Sequence, residues 1–244
     1  SHTHLSGTGA SDYGDILLMP TVGPVQLDNG ADNGPDSGYA SRFSHDRESA
    51  SPGYYSVRLD DYAVDVELTV TPRTGLHRYT FPETSEANII IDLEHRDFVM
   101  DSWIRVVSDT EVEGLRRSQA WARDQYVYFV ARFSRPFRSF GISSNGEVTE
   151  GSDYGKGSHI KAWMSFDTKP GEEIMVKVGI SAVDVDGARK NLDQEMPDWD
   201  FNAVRMAARK AWEAELSKIR VNGGTEARLR TFYTSMYHAY LNPN

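Results

Sequence analysis

The chain has 244 residues, 39% of them hydrophobic and 25% charged, a composition able to fill a globular core. Its formal net charge of −10 argues against a nucleic-acid or anionic-membrane partner, because both are gripped through basic patches. With no cysteine in the sequence, disulfides, thiolate nucleophiles and Cys-type zinc sites are excluded. No apolar run approaches the roughly 20 residues that a membrane helix needs.

The first fifteen residues, SHTHLSGTGASDYGD, crowd two histidines, five small hydroxyl residues, three glycines and two aspartates ahead of a buried-looking strand at Ile16. The chain opens on Ser1 rather than Met, so a leader would not be visible, and the expectation is the interior of a longer protein. From Ile16 to about Ile180 the pattern is strands and turns. Apolar residues alternate at Tyr55, Val57 and Leu59 and again at Val64, Val66, Leu68 and Val70, the period of a half-buried strand. Further strands are expected over 75–81, 88–93, 102–108, 111–117, 125–133, 137–143, 160–166 and 173–180. Turn residues separate them, among them Pro52-Gly53, Asn145-Gly146 and Pro170-Gly171. About ten short strands without intervening helices predict an antiparallel β-sandwich, with 28–37 as an exposed loop.

Near Ser181 the period changes to 3.6, predicting helices over 184–194 and 200–218. Asp198 or Asp200 would cap the second, and Asn222-Gly223-Gly224 would stop it. A third helix is expected over 226–241. Its aromatic face (Phe232, Tyr233, Tyr237, Tyr240) has no evident partner within the chain.

His2 and His4 would point to one face of a strand, a spacing used for metals, yet no third ligand is identifiable nearby. The SGTG run at 6–9 resembles a phosphate loop without its lysine or its helix, so Gly7 and Gly9 are read as allowing close backbone approach. Asp92 and Glu94 would share a strand face, too close together to flank a sugar as acid and base, so a solvated or loop-facing role is expected. Asp184 and Asp186 lack the spacing of an EF-hand and are read as the turn into the helices. No complete catalytic set is legible.

Several stretches nevertheless resemble glycoside hydrolase family 92, the calcium-dependent exo-α-mannosidases. These are SHTHLSGTG at 1–9, SDYGDILLMP at 11–20, ASPGYYS at 50–56, GLHRYTF at 75–81 and YFVARFS at 128–134. They continue in order with VGIS at 178–181, ARKN at 188–191, PDWDF at 197–201 and FYTSMYH at 232–238. The resemblance implies a mainly β chain: an N-terminal antiparallel, supersandwich-like domain over residues 1–181, its first part lying upstream. A helical linker over 182–224 would follow, and 225–244 would be the first helix of a C-terminal (α/α)6 catalytic barrel beyond this chain. It implies removal of terminal α-linked mannose from glycans with inversion, in a bacterial periplasmic, extracellular or cell-surface enzyme. It further implies bound Ca²⁺ whose ligands, like the catalytic acid and base, sit mostly on the barrel. No catalytic residue or metal ligand is therefore assigned within the chain, and the segment alone is expected to be inactive. His2, His4, Ser6 and Thr8 are the candidate substrate-binding residues, with Asp12 and Asp15 supporting their loop. The expected partners are a mannose-containing glycan and the barrel of the same protein, with no nucleic acid and no membrane span. The competing reading is a non-catalytic carbohydrate-binding or scaffolding β-sandwich.

Overall fold

The computed structural model describes residues 14–30 and 37–241. Among them the chain forms β1 (Leu17–Val22), β2 (Glu48–Ser51), β3 (Tyr54–Leu59), β4 (Val64–Val70) and β5 (Thr74–Phe81). It continues through β6 (Thr84–Asp92), β7 (Phe98–Ser108), β8 (Glu111–Gln119), β9 (Gln125–Phe133) and β10 (Ser139–Ser144). The last strands are β11 (Glu147–Glu150), β12 (Tyr154–Gly157), β13 (Ile160–Thr168) and β14 (Glu172–Ser181). Three helices follow: α1 (Val185–Glu195), α2 (Phe201–Leu216) and α3 (Glu226–Leu241).

The strands form two sheets, one ordered β1-β6-β13-β10-β11 and the other β12-β7-β8-β9-β14-β5-β4-β3-β2. Every pairing is antiparallel, so the expected β-sandwich is what these residues build. Inward side chains such as Ile89, Ile91 and Phe166 from one sheet meet Tyr79, Ile104, Phe129 and Val176 from the other in a single core. The run Ala87–Asp92 is buried on both faces, which explains the three consecutive isoleucines at its centre. Ile90 points away from the main core and packs with Tyr39 and Trp163 under the segment that carries Val25 and Leu27.

The helices cover part of the outward face of the larger sheet. Ala188 and Leu192 of α1 pack on Val130 of β9. Gly179 permits that approach, since a Cβ there would lie 2.5 Å from the Ala188 carbonyl oxygen. Asp184 caps α1 by accepting from the Gly187 N–H at 2.6 Å, and Asp200 caps α2 through the Ala203 N–H at 2.9 Å. Phe201 opens α2 against Leu76 and Met196. Beneath them, buried Lys177 donates to the Met196 carbonyl at 2.8 Å and lies 4.2 Å from the centre of the Trp199 ring. Burial holds its pKa below the ordinary lysine value.

Three strands escape the sequence pattern. β2, β11 and β12 (ESAS, EVTE, YGKG) carry almost no apolar alternation, because none buries a full face. The expected helix stop is displaced as well: α2 ends at Leu216, and Gly223 and Gly224 take their positive φ in the loop beyond it. The aromatic face of α3 does find partners within the chain. Tyr237 stacks edge-on against Trp212 at 4.7 Å, and Tyr233 Oη donates to the Ile219 carbonyl at 3.4 Å. Even so, α3 buries no residue fully.

Candidate functional site

One end of the sandwich gathers the start of β1, the end of β6, the start of β13, the β8–β9 turn and the end of β14. The registers fix this: Leu17 faces Asp92, Asp92 faces Lys161, Ser118 faces Gln125 and Ser181 faces Tyr128. Residues 14–16, just before β1, therefore lie at this end.

Asp15 sits there with a side-chain exposure of 0%, as does Arg116. Arg116 Nη1 donates to Asp15 Oδ1 at 2.9 Å, and Gln125 Nε2 donates to the same oxygen at 2.8 Å. The rest of the guanidinium is used on the backbone: Nε donates to the Leu93 carbonyl at 2.8 Å and Nη2 to the His95 carbonyl at 2.9 Å. Asp97 lies 3.8 Å from Arg116 Nη1 and is also buried. The arrangement is a charge tie that bolts the entry of β1, on one sheet, to β8 and β9 on the other. His95, half-buried beside it, has its pKa held below 6.5 by burial, aided by the nearby charges of Arg96 and Arg116 and opposed by Asp92.

Asp92 is buried rather than solvated, and Glu94 lies past the strand rather than on its face. Asp92 accepts from Tyr39 Oη at 2.6 Å and from the N–H groups of Glu94 and His95 at 2.7 and 3.1 Å. Lys161 bridges Glu94 and the Leu27 carbonyl, and His159 Nδ1 contacts Glu94 at 2.9 Å. These contacts consume the carboxylates in holding loops, so the pair carries no acid–base geometry. The turn role expected for Asp184 resolves into the cap of α1.

Two concavities among the described residues bear on the site and on α3. A cleft of about 670 Å³ opens at the same end, lined by Asp15, Arg73, Asp124, Gln125, Tyr126 and Asn191 among others. A groove of about 810 Å³ separates the β2–β4 edge from α3, with Tyr54, Tyr55, Tyr233 and Tyr237 on its walls. Of the candidate substrate-binding and loop-supporting residues, Asp15 alone lies within the described residues; His2, His4, Ser6, Thr8 and Asp12 lie outside them. Arg116 and Gln125 were missed, although one signal was available. In β8, Val112, Gly114, Arg116 and Ser118 share the core-facing register, and an arginine in an apolar register announces a buried partner.

The sequence matches the glycosyl hydrolase family 92 N-terminal domain over residues 1–181 and the family's catalytic domain over residues 187–244. The chain belongs to glycosyl hydrolase family 92. Its fold matches a family GH92 α-mannosidase from Bacteroides thetaiotaomicron at a TM-score of 0.93 and 40% identity, covering 99% of this chain and 34% of that one. That relative has also been solved with mannoimidazole bound. A family GH92 inverting mannosidase from the same organism gives a TM-score of 0.83 at 24% identity, covering 94% of this chain and 30% of that one, which speaks for the fold. A secreted glycosidase of Arthroderma benhamiae, itself uncharacterized, is 26% identical across all of this chain and 35% of its own length. The chain thus spans about a third of the family 92 proteins it matches.

Proposed function

We propose that this chain is the pocket-shaping part of a secreted glycosidase that removes terminal α-linked mannose from glycans with inversion. The observation that carries the reading is the 40% identity to an α-mannosidase maintained over 99% of the chain at a TM-score of 0.93. The reading is supported by the buried, hydrogen-bonded group of Asp15, Arg116 and Gln125 at the sandwich end where β1 begins. His2, His4, Ser6 and Thr8 would offer hydrogen bonds to sugar hydroxyls, with Asp12 and Asp15 holding their loop. The partner that completes the pocket is a helical barrel bearing the acid that protonates the leaving oxygen and the base that activates water. Residues 182–224 would link the two.

The described residues do not fit a calcium ion. No group of three or more His, Asp or Glu side chains gathers among them, and the Asp15 carboxylate is already paired with Arg116. No step is routed through calcium in this chain. No helix among the described residues is long and apolar enough to cross a membrane.

The test is an assay of the whole protein that contains this chain, on α-linked manno-oligosaccharides, with the product anomer followed by NMR. Release of β-mannose first is the expected result. Retention of configuration, or no mannose release, overturns the reading.

A further inference from the structure

Beside α1, the outward face of β12, β7, β8 and β9 carries aromatic rings in two pairs. Trp103 and Tyr154 lie 6.4 Å apart with planes tilted by 31°, and Tyr126 and Tyr128 lie 6.5 Å apart with planes 17° from parallel. Trp103 pairs with Leu115, and Leu115 pairs with Tyr128, so the ring pairs stand two strand spacings apart, about 10 Å. Tyr154 is 50% exposed and the other three rings are half-buried, so their polar tips and parts of their faces reach solvent.

The charges between the rings are paired with one another. Lys156 Nζ lies 3.3 Å from Asp101, Arg117 binds Asp124 through two hydrogen bonds at 2.7 and 2.8 Å, and Arg105 Nε donates to Glu113 at 2.8 Å. A face of this kind has no net charge to offer an ionic ligand. A flat apolar protein surface would have to strip water from three ion pairs without replacing it, which is costly. A sugar chain meets both requirements, since its C–H faces cover rings while its hydroxyls bond the paired carboxylates and guanidinium groups. Tyr126 and Asp124 also line the 670 Å³ cleft, so the face runs continuously into it.

We propose that this face binds the body of an extended neutral glycan, directing it towards the cleft at the sandwich end. The choice of a mannose-rich glycan rests on the mannosidase reading; the recognition of a neutral glycan chain rests on the face itself.

The experiment compares wild type with Trp103→Ala, Tyr128→Ala and the conservative Trp103→Phe in the whole protein. Retardation on gels containing yeast mannan, xylan or no polysaccharide reads binding, and hydrolysis of a mannose disaccharide reads the pocket. Trp103→Ala and Tyr128→Ala should each weaken mannan retardation about tenfold, Trp103→Phe should restore most of it, and disaccharide kcat/KM should stay constant. Unchanged mannan retardation overturns the proposal. So does an equal loss of disaccharide turnover, which would put these rings in the fold or the pocket. A lowered melting temperature with unchanged glycan binding also overturns it, by showing that a protein domain covers the face. Retardation by xylan without mannosidase activity would refute the mannosidase reading while leaving the glycan face standing.

Discussion

Arg116 shows how a single side chain can organise the end of a fold. Fully buried, it satisfies one carboxylate and two carbonyls, and Asp15 depends on it for charge compensation. Arg116→Met should therefore cost about 3–5 kcal/mol in urea denaturation, because it removes the guanidinium that is ion-paired with the buried Asp15 and strips the donors from two carbonyls. Asp15→Leu with Arg116→Met should recover part of that loss. His95 gives a second handle. Its folded pKa lies below the unfolded 6.5, so charging it opposes folding; its contribution is complete above pH 6.5 and declines as pH falls below it. His95→Gln should flatten the decline of melting temperature on that acid side, and an unaltered profile would assign the decline elsewhere. Neither residue was conspicuous in the sequence. The polar opening drew attention to Asp15, whereas its counter-charge lies 101 positions away and only the sheet register brings the two together.

At the level of elements, α1 is held to the sheet by more than its apolar stripe. Arg189 pairs with Glu111 and with buried Glu113, while Arg132 bridges Glu111 and Asp193. Burial pushes the Glu111 pKa up, but the two guanidinium groups outweigh it and leave the group below its ordinary 4.5. Stability from this group is thus present above pH 4.5 and lost as pH falls through the lowered value. Arg189→Met should remove about 2 kcal/mol near neutrality and reduce the acid sensitivity, both readable from urea melts across pH. Element by element, legibility followed burial. β3 and β9 were evident because one face of each is apolar and packed, and their edges needed no correction. β2, β11 and β12 left no trace because edge strands in water need no apolar face. The end of α2 was misplaced because Ser217 closes it by accepting helical geometry, without the glycine that the sequence offers later.

Over the whole molecule, order should decline from the sandwich core to α3. β5 is buried almost throughout and β6 from Ala87 onward, whereas α3 rests on Trp212 and a few polar contacts. In hydrogen exchange on the 244-residue chain, amides of 226–241 should exchange well before those of 87–92; equal protection would show α3 to be an integral part of the same cooperative unit. The class of fold and the family were readable from alternation and from ordered motifs. The candidate site was not, because its parts come from four strand ends that only the completed registers bring to one place. Those registers also set an assembly order. β1 hydrogen-bonds β6, some seventy positions further on, and β6 in turn needs β13, another seventy beyond. During folding, β1 and the buried Asp15 just before it must therefore wait until both β6 and β13 have joined the sheet. A pairing that spans so much chain closes late, and a chaperone that shields the edge of β1 in the interval would govern how much correctly folded chain is recovered.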